Sequence, residues 1–198
     1  MSTRRVYYTI GVLCLAMAYL LSGANLAANF GRSRYSKAND AHSYIDYDYP
    51  ENYPMEELKH VLLTVEESVH YPLEGSQALF EWASSAPSAT GFVRLGPTHR
   101  TLCVSMFHQL HCLRYIRNGI VNPRDPSSSI YHSHHCLNYI RQSILCNPDL
   151  TLEPFDPLDR DFSVDRVGAT HVCRDWSAVY AEMSKNWEHW QSFWNGEA

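Results

Sequence analysis

The stretch HQLHCLRYIR at residues 108–117 recurs as HSHHCLNYIR at residues 132–141, with seven of the ten positions identical. In each copy two histidines stand three residues apart and a cysteine follows at once. At about 100° per residue on a helix, those three side chains share an arc of roughly 100° on one face. Two such helices, joined by the short linker GIVNPRDPSSSI, make an antiparallel hairpin that carries both motifs to its linker end. The repeat thus limits the fold to one in which two helices meet along their histidine faces, where four imidazoles can build a one-metal or two-metal centre.

The candidate ligands and catalytic residues are His108, His111, His132 and His135. Imidazole suits zinc and copper, and a thiolate favours soft or borderline metals, which adds Cys112 and Cys136 as further candidates. A single His-x-x-His pair is weak evidence, because many are core or surface histidines. The duplication is stronger: five of the eleven histidines fall between residues 108 and 135. His134 points to the opposite side of its helix, whereas His171, two residues before Cys173, is a candidate fifth ligand or supporting group. Tyr115 and Tyr139, four residues after His111 and His135, read as hydrogen-bonding packing residues. Arg117 and Arg141 read as partners for helix C-terminal carbonyls or for acids.

The N-terminus sets the compartment. Residues 6–29 carry no charge and are about as long as a bilayer core requires, so they read as an uncleaved signal anchor behind a short cytosolic segment at residues 1–5. A cleaved signal peptide is the competing reading, since Ser22-Gly23-Ala24 resembles a cleavage site. Five cysteines in the remainder fit an oxidising compartment and a domain facing the secretory lumen. Cys112, Cys136, Cys146 and Cys173 are the disulfide candidates. Cys136 cannot bridge Cys146 within one continuous helix, because ten residues at about 1.5 Å exceed the limit of roughly 7 Å between bridged Cα atoms. The pairing stays open.

Residues 30–57 read as a stalk: DAHSYIDYDYPENYPMEE, at 40–57, holds six acids, no base and two prolines. One domain is expected over residues 58–198, mainly α-helical, with the hairpin and a few short strands. KHVLLTV at 59–65 and GFVRLG at 91–96 read as strands able to pair with each other. SQALFEWASSA at 76–86 reads as a short helix capped by Ser76. The motif helices are expected at Thr101 to Asn118, stopped by Asn118-Gly119, and at Ile130 to Leu145. Residues 151–168 read as a surface loop, and a last helix runs from about Cys173 to Trp194. Its stripe of Trp176, Val179, Met183, Trp187, Trp190 and Trp194 is a packing face.

Several function classes fall away. A formal charge of -5 gives no basic surface for nucleic acid. Neither His-x-x-His contains the glutamate of a metallohydrolase, and there is no G-x-S-x-G.

HQLHC with HSHHC, the N-terminal apolar segment, EW at 81–82, LCNPDLTLE after the second motif and HVCRDW near the end together resemble the fungal UstYa-type oxidase family. The resemblance covers roughly residues 58 to 180, and His108, His111, Cys112, His132, His135 and Cys136 match its motif position by position. It implies an oxidoreductase that tailors a peptide or peptide-derived small molecule in mycotoxin biosynthesis, by cyclisation, hydroxylation or halogenation. It also implies copper, with zinc or iron as alternatives, a single-pass lumen-facing topology, and a homologous family partner. The competing function is a membrane-anchored accessory protein whose hairpin holds structural zinc and supports a partner enzyme.

Overall fold

The computed structural model describes residues 10, 12–23, 42–126, 128–153 and 159–197. The chain divides into two compact units, one of Met1–Glu56 with Gly96–Thr98 and one of Glu57–Leu95 with His99–Ala198.

In the first unit, residues 12–23 are helical. The rest of the expected anchor, apart from residue 10, lies outside the described residues. Among the described residues no helix is long and apolar enough to cross a membrane. Part of the acidic segment expected as a stalk is folded: Asp48 accepts from the Ser43 amide at 2.8 Å and pairs with His42 Nδ1 at 2.9 Å. Inside this turn Tyr44 is only 2% exposed. It lies on Gly96, whose φ of +71° and missing Cβ make room for the ring.

The second unit is mainly helical, with two small antiparallel ribbons. Strand β1 (His60–Glu66) pairs with β4 (Val167–Arg174), while β2 (Phe92–Leu95) pairs with β3 (Arg100–Cys103). The expected pairing of β1 with β2 is therefore wrong. β3 was hidden in the expected start of the first motif helix, and β4 in the expected loop and last helix. Both segments carry β-branched residues, Thr101 in one and Thr170 and Val172 in the other, and each found a partner distant from the expected one. Thr64 and Thr170 face each other across β1 and β4 with hydroxyls 2.8 Å apart.

Helix α1 (Ala78–Ser84) starts after Gln77, not Ser76, and without a side-chain cap. The motif helices are α2 (Ser105–Val121) and α3 (Ile130–Cys146). α2 runs through Gly119, because the chain keeps helical geometry until Asn122, ahead of Pro123, which disfavours helical backbone at the residue before it. Helix α4 (Trp176–Trp194) begins at Asp175, whose carboxylate accepts from the Ser177 amide at 3.0 Å.

The buried apolar side chains include Ala78, Val93, Leu95, Phe107, Val179 and Met183. α4 packs against β2 and the turn before it, and Asn186 fastens the contact. Its amide donates to the Arg94 carbonyl and accepts from the Arg94 N–H, each at 2.8 Å, so the free edge of β2 is satisfied by one side chain. Phe107 meets Tyr180 edge to face at 5.0 Å. The tryptophan stripe packs at its middle only: Trp187 and Trp190 are half-buried, whereas Trp176 and Trp194 are exposed.

Candidate metal centre

α2 and α3 pack antiparallel, and the pairs in contact follow that direction. Ser105 Oγ lies 2.7 Å from the Tyr139 hydroxyl, His108 stacks on His135 at 5.6 Å between ring centroids, and His111 meets His132 at 5.7 Å. The remaining sides of this quadrilateral, His108–His111 and His132–His135, measure 6.3 and 6.1 Å. The spacing of three places both histidines of each motif on the face that the other helix covers, as the arc argument requires.

Within this group the tightest convergence is of mixed type. Donor atoms of His108, Cys112 and His135 all lie within 4.8 Å of one another. Cys112 is fully buried at the base, His108 is half-buried and His135 is exposed, so the cluster opens to solvent on one side. Two imidazoles and a thiol fit copper or zinc, and three protein donors with an open side resemble a reactive site more than a closed four-ligand structural one. His111 and His132 are adjacent rings, outside this close triad.

Aromatic rings brace the imidazoles. Tyr139 lies 4.1 Å from His108 and Tyr115 lies 3.7 Å from His132, centroid to centroid. Each ring is held by its hydroxyl, Tyr139 through Ser105 and Tyr115 through the Ser129 amide at 2.7 Å. The expectation of hydrogen-bonding packing tyrosines holds, and their position against the candidate ligands His108 and His132 is a further finding.

Burial, then the neighbouring His135 and His132, pushes the His108 imidazole below its ordinary pKa. His111 is lowered by burial, His132, His108 and Arg114, in that order. Both rings therefore favour the neutral form that binds metal. Burial and then the hydrogen bond with Cys136 push the Cys112 thiol up to about 12. Without a metal it is a neutral thiol.

None of the four disulfide candidates is bridged. Cys112 and Cys136, both fully buried, contact each other across the hairpin as free thiols. Cys146 is exposed at the C-terminal end of α3, and Cys173 is half-buried in β4. His171 is not in the donor cluster. Its Nδ1 contacts Asp149 at 2.6 Å, while its Nε2 is buried with no partner among the described residues. Hydrogen bonds from Thr151, with a smaller contribution from His171, hold Asp149 down at about 2. His134 faces away and contacts Asn138. Arg117 reaches across to the Leu73 carbonyl through Nε at 2.7 Å and also Nη2, so it serves neither a helix end nor an acid.

Two clefts flank α2. The larger, of about 670 Å³, is lined by Met106, Gln109, Leu110 and Leu113 on the face away from the histidines, and by Trp82 and Trp176. The smaller, of about 220 Å³, is lined by Trp82, His111, Arg114 and Tyr115 among others, and so touches the histidine group. The sequence marks Trp82 only within EW at 81–82 and does not mark Arg114. The offset of three between His111 and Arg114 was the available signal, since such residues are neighbours on a helix surface.

Residues 97–192 match a family model described as mycotoxin biosynthesis protein UstYa. A stretch of 101 residues is 30% identical to the UstYa family oxidase phomYb of Diaporthe leptostromiformis, covering 50% of this chain and 40% of that protein. The chain therefore spans about two fifths of the length of the curated relative it matches. No solved structure matches the chain. The matched segment, just under half of the chain, contains both HxxHC helices, the donor triad between them and β3, and over this segment the chain is similar to the UstYa family.

Proposed function

We propose that this domain is a copper-dependent oxidase that tailors a peptide-derived substrate in mycotoxin biosynthesis, by ring closure or hydroxylation. The observation that carries the reading is the convergence of His108, Cys112 and His135, open to solvent at His135, on a hairpin that lies within the segment similar to the UstYa family. These three residues would hold the ion, with His111 and His132 close enough to complete or support the set. Copper bound there supplies electron exchange between substrate and dioxygen. In net terms ring closure removes two hydrogens from the peptide, and they leave with dioxygen as hydrogen peroxide. Hydroxylation would instead put one oxygen atom of dioxygen into a C–H bond and release the other as water, with two electrons and two protons drawn from an external reductant.

The chain's own residues prepare the site for that role. Lowered imidazole pKa values keep His108 and His111 free of protons near neutral pH. Tyr139 and Tyr115 fix the ring planes. The exposed edge at His135 leaves a path for substrate. Substrate choice falls to the clefts beside α2, because one metal centre serves many reactions.

We include in this reading a single-pass topology with the domain in the secretory lumen, supported by the uncharged run at 6–29 and the cysteine-rich remainder. Protease protection of intact microsomes tests it; digestion of the domain without detergent would reverse the orientation.

The deciding experiment is metal analysis of the full chain in detergent, beside a variant with His108 and His135 changed to alanine. Copper at about one per chain, lost in the variant, is expected for a single His-Cys-His site. Zinc alone, or no metal in a folded chain, overturns the oxidase and favours the accessory protein with a structural hairpin.

A further inference from the structure

The smaller cleft has a chemical character of its own. Trp82, His111, Arg114, Tyr115, Arg117 and Asn118 line it, so two guanidinium-bearing side chains stand in the wall and no carboxylate does. Most of the polar wall is already engaged. Trp82 Nε1 donates to the Pro72 carbonyl at 2.9 Å, Arg117 to the Leu73 carbonyl, Asn118 to Ser128 Oγ at 3.2 Å, and the Tyr115 hydroxyl accepts from Ser129. Arg114 differs: half-buried, it has no hydrogen bond or ion pair among the described residues. It stands one helical turn beyond His111, close enough for its charge to act on that imidazole. A guanidinium held in a concave wall, with its neighbours fixed, is suited to planar carboxylate recognition.

We propose that this cleft is an anion subsite in which Arg114 binds a carboxylate of a peptide, the C-terminal group or an acidic side chain, and so positions that end of the peptide beside the histidine group. A volume of about 220 Å³ is below the roughly 300–1,000 Å³ of sites that enclose a whole drug-sized ligand. It takes one residue while the rest of the peptide lies outside. The aromatic walls, Trp82 and Tyr115, favour a large flat side chain there. That the bound peptide is a substrate rests on the oxidase reading; that the cleft selects a carboxylate does not.

The test is calorimetric binding to the full chain in detergent with no metal added. Three probes are used: N-acetyl-Ala-Phe with a free carboxylate, the same dipeptide as its C-terminal amide, and N-acetyl-Glu-Phe amide. The carboxylate should bind at least about tenfold tighter than its amide, as expected for one charge-assisted bidentate contact. Arg114→Gln should abolish that preference and Arg114→Lys retain part of it, both with unchanged thermal unfolding. Recovery of tight binding by the glutamyl amide assigns the subsite to acidic side chains, and its failure assigns it to the C-terminus. Equal binding of carboxylate and amide, a preference that survives in Arg114→Gln, or no binding of any probe at millimolar concentration overturns the proposal. Carboxylate preference in a chain that takes up no copper would leave the cleft standing and remove the oxidase. Copper uptake without that preference would do the reverse.

Discussion

Cys112 and Cys136 touch across the α2–α3 hairpin, each with no exposed surface, and Cys112 is at the same time a member of the donor triad with His108 and His135. One sulfur thus links the packing seam to the candidate metal site. Its protonation should be readable in both stability and metal uptake.

Burial and Cys136 raise the Cys112 thiol from 9.0 to about 12. Folding therefore favours the neutral thiol, and this contribution is complete below pH 9 and is lost as pH rises from 9 through about 12. Urea unfolding of the metal-free chain should show stability falling over that window, with a shallower fall in Cys112→Ser. An equal fall in both would show that other groups carry it.

Metal uptake should move the other way with pH. Binding through Cys112 releases a proton, and His108 and His111, lowered from 6.5 mainly by burial, must be neutral to ligate. Affinity for Cu(I) or Zn(II) in competition with a chromophoric chelator should rise from pH 6 to 9, and Cys112→Ser should flatten the slope above neutrality. For the metal-free chain the two histidines add stability that is complete above 6.5 and falls away as pH drops through their lowered values.

Tyr139→Phe and Tyr139→Ala separate the hydroxyl from the ring. Loss of the Ser105 contact, exposed to water, should cost only about 0.5–1.5 kcal/mol and leave metal affinity nearly unchanged. Loss of the ring packed 4.1 Å from His108 should weaken metal binding by roughly tenfold or more, in the range seen when groups orienting a ligand are removed. The same chelator titration reads both variants.

Asn186→Leu leaves the Arg94 N–H and carbonyl without partners at a site where Asn186 is 9% exposed. A loss of about 2–4 kcal/mol in urea unfolding is expected for two stranded backbone groups. Because the change lies on α4, metal binding by the folded protein should be unaffected.

Gly91→Ala should be among the most damaging small substitutions. Gly91 has φ of +87°, and an added Cβ would fall within the van der Waals shell of Phe107. Left-handed backbone costs roughly 1–2 kcal/mol for an L-residue, and overpacking about 1–3 more. Thermal unfolding should fall by well over the few degrees of an average surface change.

Much of the site was legible because helical periodicity is local. The spacing His108, His111, Cys112 and its repeat at 132, 135, 136 placed the candidate ligands on facing helices, and the structure brings the four rings together as that spacing implies. What it left undecided was which donors converge most closely. The triad takes Cys112 with one imidazole from each helix, a choice made by the offset of α2 against α3, and no single-helix argument contains that offset.

The strands show the opposite case. β1 and β2 were visible as short apolar runs, but β1 pairs with β4 more than 100 residues away and β2 with the β3 segment that read as helix. Short β-branched runs have no preferred state of their own, and a partner decides it. The Cys112–Cys136 contact, the seat of Arg117 on Leu73 and the confinement of His171 to Asp149 were likewise beyond the sequence.

The sequence by itself determined that two like helices would present imidazole and thiol on one face each, because side-chain direction on a helix depends only on residue spacing. The tertiary structure alone decided which donors meet, which thiols touch, and that Arg114 lines a cleft beside His111. Those outcomes depend on how separately formed elements are set against one another, through packing between residues far apart in the chain.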